Sequence, residues 1–349
     1  MDGLRNLDGA NYVVITTINK PSKRLRNLFY RLNKNKKWTI IIVGDINTPP
    51  DWEREKYVFY LSIEKQKEYF PKISRLIPIK HYSRKNLGYL YAIIKGAETI
   101  LDLDDDNFIY KDADIIFSKY LRGKLLISQK KWVNVYKYFT NKLIWPRGLP
   151  LEYIHNFGKT INTNGYVICP IQQFVVDGDP DVDAIYRIMF PKQKIIFKKN
   201  LKPLIPDKFN WTPFNSQCTL FFKEAFPVLY LPCYLNFRLV DIWRAFVAQS
   251  VLWVKDFRLA FREPIGQQIR NKHNLANDFH DEIKGYIFNG IIAEKIEKQL
   301  MTLDGRDMNI AEISKRIWEM LIDSNYLPNK EKEIINAWYE IIQSVIRCE

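Results

Sequence analysis

The chain has 349 residues, of which 47% are hydrophobic and 26% charged, a balance typical of a globular protein rather than a disordered one. Its longest aliphatic runs are far shorter than the roughly 20 residues that span a bilayer, and residues 1–10 do not resemble a secretory signal. We therefore expect a cytoplasmic location, and without a membrane anchor a Golgi-like location is not expected.

The net charge of +14, from 53 basic and 39 acidic residues, favours an anionic partner. Lysine and arginine are spread along the whole chain and do not cluster with aromatic residues, so nucleic acid is not the expected partner. Weak association with an acidic membrane surface stays open, as does a simple composition bias. The cysteines contain no CxxC pair and are expected to be reduced thiols; they are Cys169, Cys218, Cys233 and Cys348.

The first hundred residues alternate between strand and helix patterns. Continuous apolar runs of strand length indicate strands buried on both faces, as in a parallel sheet covered by helices. The predicted strands are 11–18, 38–43, 58–61 and 99–103, and the predicted helices are 22–33 and 86–97. This alternation predicts an α/β nucleotide-binding sheet.

After residue 110 the pattern is looser, and from about Pro264 it is polar and helical with no strand signal. The predicted strands are 132–136, 165–169 and 219–222, and the predicted helices are 182–190, 239–253, 283–300, 310–322 and 331–346. We therefore divide the chain into a domain at 1–265 and a helical C-terminal region at 266–349. The domain would have a first half at about 1–110 and a second half at about 111–265.

An acidic cluster ends the predicted strand at 99–103; its members are Asp102, Asp104, Asp105 and Asp106. Carboxylates packed this closely repel one another, and a hard divalent cation such as Mg²⁺ or Mn²⁺ relieves the repulsion. The carboxyl end of a strand is also where open α/β sheets bind nucleotides. The cluster therefore predicts a metal and nucleotide site, with a solvated acidic loop as the alternative.

The segment before this strand has the features of an anion site. Asn86 can cap the predicted helix, and Gly88 would let the backbone approach a ligand closely. Arg84 and Lys85 lie at the helix N-terminus, where the helix dipole favours anions. Binding of a diphosphate at this site would account for part of the net positive charge of the chain.

Five segments of the chain form a set of specific motifs: Val43–Trp52, Arg84–Asn107, Gly178–Ile188, Phe214–Phe222 and Arg238–Trp253. Together, over about residues 11–280, they resemble the STELLO-type glycosyltransferases and, more broadly, the donor site of GT-A glycosyltransferases. It implies a GT-A fold, a Rossmann-like mixed sheet flanked by helices, here with a C-terminal helical extension.

The resemblance also implies a role for each donor-site residue. Thr17 and Asp45 would contact the nucleoside, and Arg84 and Lys85, with Asn86 beside them, would hold the diphosphate. Asp104 and Asp106 fit the metal-binding DxD spacing, although Asp102 with Asp104 fits the same spacing one step earlier. Asp105 would contact the sugar hydroxyls, and His273 is a candidate third metal ligand.

A second acidic group at 177–183 leads into the predicted helix at 182–190. By resemblance to inverting enzymes, Asp181 would be the catalytic base, with Arg187 six residues later and Asp183 as a second catalytic candidate. The alternative is that Asp181 or Asp183 only caps the helix. Asp241, Trp243 and Arg244 are expected to lie in a core helix with one buried ion pair.

The sequence thus predicts a metal-dependent glycosyltransferase that uses Mn²⁺ or Mg²⁺. It would move a hexosyl or pentosyl group from a nucleoside-diphosphate-sugar donor, with UDP-sugars favoured, to a glycan or glycoprotein acceptor, with inversion. The alternatives are a sugar nucleotidyltransferase, another metal-dependent phosphoryl-transfer enzyme, and a scaffold that kept the fold without catalysis.

Overall fold

The structure is a computed structural model that describes residues 11–34, 38–111, 113, 117–271, 273–303 and 308–346, so Cys348 lies outside the described residues. The strands in these ranges are β1 (Asn11–Thr16), β2 (Thr39–Val43), β3 (Val58–Leu61), β4 (Thr99–Leu103), β5 (Asn107–Ile109), β6 (Tyr120–Leu121), β7 (Lys124–Ile127), β8 (Lys159–Asn162), β9 (Val167–Ile168), β10 (Ile171–Phe174), β11 (Asp177–Gly178), β12 (Leu204–Pro206), β13 (Cys218–Phe222), β14 (Leu259–Arg262) and β15 (Gly266–Gln268). The helices are α1 (Lys23–Lys34), α2 (Ile63–Tyr69), α3 (Ile73–Leu76), α4 (Lys85–Ile94), α5 (Tyr136–Phe139), α6 (Ala184–Met189), α7 (Val240–Val254), α8 (Leu275–Thr302), α9 (Ile310–Asp323) and α10 (Glu331–Ile346).

The main sheet of the described residues has ten strands in the order β3-β2-β1-β4-β13-β10-β14-β12-β7-β8. Strands β3, β2, β1 and β4 are mutually parallel, whereas β13 joins β4 antiparallel and makes the sheet mixed. Every residue of β2 is buried, because helices cover both faces of this part of the sheet, as its continuous apolar run predicts. The predicted α/β class with a mixed sheet flanked by helices is confirmed.

Helix α4 packs directly on the parallel strands, and Gly88 makes this close approach possible. A Cβ at Gly88 would overlap the side chain of Val43 and lie 2.7 Å from Cγ1 of Val14. The glycine thus serves contact between helix and sheet, which corrects the expectation that it brings backbone to a ligand.

In the second half of the chain, two predictions about strands are wrong. Residues 132–136 form no strand; Trp132 makes a single β-bridge with Trp211, and helix α5 begins at Tyr136. Conversely, β15 lies beyond Pro264, where no strand was expected, and pairs with β5 and β11. A strand this short depends on its distant partners, so local sequence periodicity does not reveal it.

The C-terminal helices share the hydrophobic core of the sheet. The indoles of Trp318 in α9 and Trp338 in α10 are buried, and their ring centroids each lie 5.6 Å from that of Tyr230. The same core cluster includes Tyr12 in β1 and Leu87 in α4. Throughout the described ranges, no helix is both long and apolar enough to cross a membrane.

Candidate active site

A cleft of about 740 Å³ opens at the carboxyl ends of β1, β2 and β4. The wall formed by these strand ends carries Thr17 after β1, Asp45 after β2 and the aspartates that follow β4. The opposite wall carries Arg147, Asp181 and Asp241 from the second half of the chain. The parallel strands therefore bring together side chains that are up to about ninety residues apart in sequence, at the edge where open α/β sheets bind ligands.

The loop after β4 presents Asp104 and Asp106 to the cleft. The hydroxyl of Tyr82 donates to Oδ1 of Asp104 at 2.7 Å, and Nε2 of Gln268 donates to Oδ2 of Asp106 at 2.9 Å. Burial raises the pKa of Asp104 to about 7, and burial also raises the pKa of Asp106. Nζ of Lys85 lies 3.2 Å from Oδ1 of Asp104 and offsets part of its charge, yet burial still disfavours the charged form of both carboxyls. A divalent cation bound between them would favour the charged form.

Asp105, between these two residues in sequence, is held by the segment that follows β1. Its Oδ2 accepts hydrogen bonds from Oγ1 of Thr17 at 2.5 Å and from Nδ2 of Asn19 at 2.8 Å. The bond between Thr17 and Asp105 joins the end of β1 to the acidic loop. Both Thr17 and Asp105 line the cleft. One carboxylate oxygen of Asp105 already accepts hydrogen bonds from the protein.

Asp102 is part of the interior and not of the cleft. Nζ of Lys85 lies 2.6 Å from its Oδ1, and Nη1 of Arg244 lies 3.0 Å from its Oδ2. All three side chains are fully buried. The alternative metal register that begins at Asp102 is thereby corrected, because two cations already neutralise this carboxylate. Asp104 and Asp106 remain as the metal candidates.

The cationic pair at the start of α4 also lies inside the protein. Nε of Arg84 donates to Oε1 of Gln66 at 2.7 Å, and its Nη1 donates to the carbonyl of Ile77 at 3.0 Å. Nζ of Lys85 donates to the carbonyl of Leu103 at 2.9 Å, beneath the acidic loop. Neither side chain reaches the cleft, which corrects their predicted contact with a diphosphate.

Asn86 is likewise structural. Its Nδ2 donates to the carbonyl of Leu231 at 2.8 Å, and its Oδ1 accepts from the amide of Leu231 at 2.9 Å. This pair of bonds joins α4 to the segment 230–238, which forms another wall of the cleft through Phe237 and Arg238. The predicted role of Asn86 in donor contact is therefore corrected to that of an internal anchor.

Asp45 lies in the cleft as predicted. Its Oδ2 accepts from the amide of His81 at 3.0 Å, and its Oδ1 accepts from the amide of Ile46 at 2.6 Å. These bonds hold the loop after β2 against the segment that leads into α4. The Asp45 carboxylate can still accept bonds from a nucleoside through its remaining lone pairs.

Asp181 faces the cleft in an ionic group that the sequence did not reveal. Nη2 of Arg147 lies 2.7 Å from Oδ2 of Asp181 and 2.9 Å from Oδ2 of Asp241. Burial disfavours the charged form of Asp181, but the ion pair with Arg147 outweighs it and lowers the pKa of the carboxyl. Asp181 is thus kept ionised although its side chain is mostly buried.

Asp183 caps helix α6 and does not reach the cleft. Its Oδ1 accepts from the amide of Tyr186 at 2.7 Å, its Oδ2 accepts from Nε1 of Trp145 at 2.6 Å, and it is fully buried. Asp183 therefore serves as the helix cap that the sequence offered as the alternative, and its burial places it out of contact with the cleft. Burial raises its pKa to about 7.

Arg187 and His273, two further candidates, have protein partners. Nη1 of Arg187 lies 2.7 Å from Asp179, and Nδ1 of His273 lies 3.2 Å from Asp278. His273 does line the cleft. Within the described residues, no three His, Cys, Asp or Glu side chains converge on one point as a complete metal site. A cation here would need further oxygen ligands from the substrate, as Mg²⁺ sites commonly do.

The cleft contains residues that sequence reasoning missed, namely Tyr82, Arg147, Arg238, Asp241, Gln268 and Arg270. Of these, Asp241 was expected in a core helix, and Tyr82 could have been noticed two residues before the Arg84–Lys85 pair. Arg238 begins the segment Arg238–Trp253 that carries the resemblance, whereas Arg147, Gln268 and Arg270 come from loops or a short strand with no motif. These residues lie near the acidic loop because the order of the strands in the folded sheet brings distant parts of the chain together.

The mixed α/β sheet, with a polar cleft at the carboxyl ends of its parallel strands, defines a Rossmann-like protein of the GT-A type. No protein-family model matches the chain. It is 30% identical over 263 residues to the Arabidopsis thaliana protein named "Probable glycosyltransferase STELLO2", a match that covers 69% of this chain and 33% of that protein. The chain belongs to this STELLO-like family of glycosyltransferases, which confirms the resemblance drawn from the motifs.

A second relative from Arabidopsis thaliana extends the match. It is named "Probable glycosyltransferase STELLO1" and is 26% identical over 341 residues, which are 90% of this chain and 43% of that protein. The chain therefore spans less than half the length of these two relatives.

Proposed function

We propose that the chain is a metal-dependent glycosyltransferase that moves a sugar from a nucleoside-diphosphate-sugar, UDP-sugars being favoured, to a hydroxyl of a glycan or protein. The observation that carries this proposal is the convergence of Asp45, Asp104, Asp106 and Asp181 on one cleft at the carboxyl ends of parallel strands. The family name of the relatives points to the same class of reaction.

Charge balance in the cleft supports a metal. The described residues that line it include six aspartates (Asp45, Asp104, Asp105, Asp106, Asp181 and Asp241) against four cationic side chains (Lys80, Arg147, Arg238 and Arg270). A diphosphate would be repelled by this excess of carboxylates unless a divalent cation compensated for it. Asp104 and Asp106 would hold Mn²⁺ or Mg²⁺, which when bound supplies Lewis-acid stabilisation of the leaving diphosphate.

Asp45 and Thr17 would position the nucleoside. Asp45 follows β2 and Thr17 follows β1, and both line the cleft on the same side as the acidic loop. A carboxylate accepts hydrogen bonds from ribose hydroxyls or from the N–H of a base. The donor would then run from Asp45 toward Asp104 and Asp106, with the sugar directed at the opposite wall.

Asp181 would act as the general base on that opposite wall. The oxygen of the acceptor hydroxyl forms a bond to the anomeric carbon, the bond from that carbon to the diphosphate breaks, and the hydroxyl proton passes to a carboxylate oxygen of Asp181. The electron pair of the broken bond stays on the diphosphate. Arg147 keeps Asp181 ionised and oriented, so the base is ready at neutral pH although its lowered pKa makes it weak.

Hydrolysis of UDP- and GDP-sugars in the presence of Mn²⁺ tests this function. We expect release of the nucleoside diphosphate that is lost on adding EDTA and reduced at least about a hundredfold in Asp104→Ala. Asp323→Ala, an exposed position at the end of α9, is the matched control and should behave as the unaltered protein. Hydrolysis that survives both EDTA and Asp104→Ala would overturn the metal-dependent mechanism.

A further inference from the structure

Among the described residues, three arginines line the cleft, and carboxylates of the protein pair with all of them. Arg147 bridges Asp181 and Asp241. Nε of Arg238 donates to Glu282 at 2.8 Å, and Nη2 of Arg270 lies 3.1 Å from Asp278. Because Arg84 and Lys85 are buried elsewhere, none of these groups brings an uncompensated positive charge to a nucleotide.

Lys80 differs from all of them. Lys80 lines the cleft and is exposed, and among the described residues it has neither an ion pair nor a hydrogen bond from its ammonium group. Its backbone has φ of 56°, in the left-handed region that lysine seldom adopts. A strained backbone of this kind costs on the order of 1 kcal/mol and persists where the surroundings hold it in place.

The neighbours of Lys80 determine where its ammonium group can reach. The amide of His81 donates to Asp45, the residue proposed for the nucleoside, at 3.0 Å. The hydroxyl of Tyr82 donates to Asp104, the residue proposed for the metal, at 2.7 Å. Lys80 therefore belongs to the segment that connects the nucleoside end of the cleft to its acidic loop.

In a sugar nucleotide the diphosphate links the nucleoside to the sugar. A donor with its nucleoside at Asp45 and its sugar near the acidic loop would therefore have its diphosphate between these two parts of the cleft. We propose that Lys80 binds the diphosphate of the nucleotide, as the free cation that the buried Arg84 and Lys85 do not supply. This inference rests on the proposed function, since it assumes that a nucleotide occupies the cleft. The left-handed turn at Lys80 comes directly before the two residues that bond to Asp45 and Asp104, and its exposed ammonium group is thus available to a phosphate in the cleft.

Calorimetric titration with UDP, uridine and inorganic pyrophosphate separates phosphate contacts from nucleoside contacts. In Lys80→Gln we expect the affinities for UDP and pyrophosphate to fall about tenfold or more, as for loss of a charged hydrogen bond, while the affinity for uridine is unchanged. Lys80→Arg should retain most of the UDP affinity. The same measurements with GDP and guanosine cover the alternative nucleoside.

Lys131→Gln is a matched control, because Lys131 is also a lysine in the left-handed region, with φ of 61°, but lies outside the cleft and pairs with Glu297. We expect it to bind UDP as the unaltered protein does. Lys80→Gly, which removes the backbone strain, should keep the fold and show the same loss of UDP affinity as Lys80→Gln.

Three results would overturn the inference, and they separate the role of Lys80 from the proposed function. Equal UDP affinity in Lys80→Gln and the unaltered protein, or an equal fall for uridine, would refute the role of Lys80 and leave the proposed function standing. An unaltered protein that binds no UDP, GDP or pyrophosphate, with or without Mn²⁺, would refute both.

Discussion

Nζ of Lys85 lies 2.6 Å from Oδ1 of Asp102 and 3.2 Å from Oδ1 of Asp104, so a single buried ammonium group joins the interior of the sheet to the acidic loop of the cleft. Arg244 completes the charge balance on the other oxygen of Asp102. This arrangement explains why Asp102 and Asp104, two residues apart, have different environments. One is neutralised by two cations inside the core, and the other faces the cleft.

Lys85→Met should therefore be strongly destabilising. The substitution leaves Asp102 in the core with only Arg244 as its partner, and breaking a buried pair in this way costs about 3–5 kcal/mol. Denaturant unfolding followed by circular dichroism would measure the loss. Lys72→Met is the control, since Lys72 pairs with Glu340 on the surface and should change stability by less than about 1 kcal/mol. Similar small effects for both variants would contradict the structural role of Lys85.

Asp181→Asn should separate transfer from donor binding. The amide cannot accept the hydroxyl proton, so we expect the rate of sugar transfer to fall by about 10²–10⁴-fold. The affinity for the nucleoside diphosphate should stay within about threefold, because the acidic loop and Asp45 are unchanged and Arg147 keeps its pair with Asp241. Single-turnover transfer and calorimetric titration are the two measurements. If binding falls as far as transfer, Asp181 has a structural role only.

Asp183→Asn should leave transfer intact and change the pH dependence of stability. Burial raises the pKa of Asp183 in the folded protein to about 7, above the value of about 4 in an unfolded chain. The contribution of this group to stability is thus fully present below about pH 4 and is lost as the pH rises through about 7.

We therefore expect the free energy of unfolding of the unaltered protein to decrease relative to that of Asp183→Asn over this pH range, by on the order of 4 kcal/mol at most. Urea unfolding of both proteins at about pH 4.5, 6 and 8 would measure the difference. A difference that is constant with pH, or a variant that loses transfer, would contradict the assignment of Asp183 as a buried helix cap.

Gly88→Ala tests the close contact between α4 and the sheet. The added Cβ would overlap Val43 and press on Val14, and overpacking of this kind costs about 1–3 kcal/mol. Gly290→Ala is the matched control, because Gly290 lies within helix α8 and a Cβ there meets no atom within 4 Å. The control should be neutral or stabilising by up to about 1 kcal/mol through helix propensity. Thermal unfolding of the two variants would compare them directly.

Several parts of the fold could be predicted from the sequence because their signals are local. Strands β3 and β4 and helix α10 begin and end at the predicted residues, and α7 and α9 differ by one residue at most at either end. Continuous apolar runs and helical spacing identify such elements without knowledge of their partners. The strand predicted at 132–136 was wrong, and β15 was missed, because pairing with distant residues decides both.

By itself the sequence determined the class of fold and the cluster of acidic residues at the carboxyl end of β4, since both follow from short stretches of neighbouring residues. Tertiary structure alone decided which charged groups face the cleft. Asp102, Arg84 and Lys85 have the residue types of a metal and diphosphate site, yet burial and ion pairing remove them from it. Arg147 and Lys80 carry no motif but line the cleft, because the order of strands and the turn before α4 bring them there. Charge type is a property of the residue, whereas exposure and partners are properties of the folded chain.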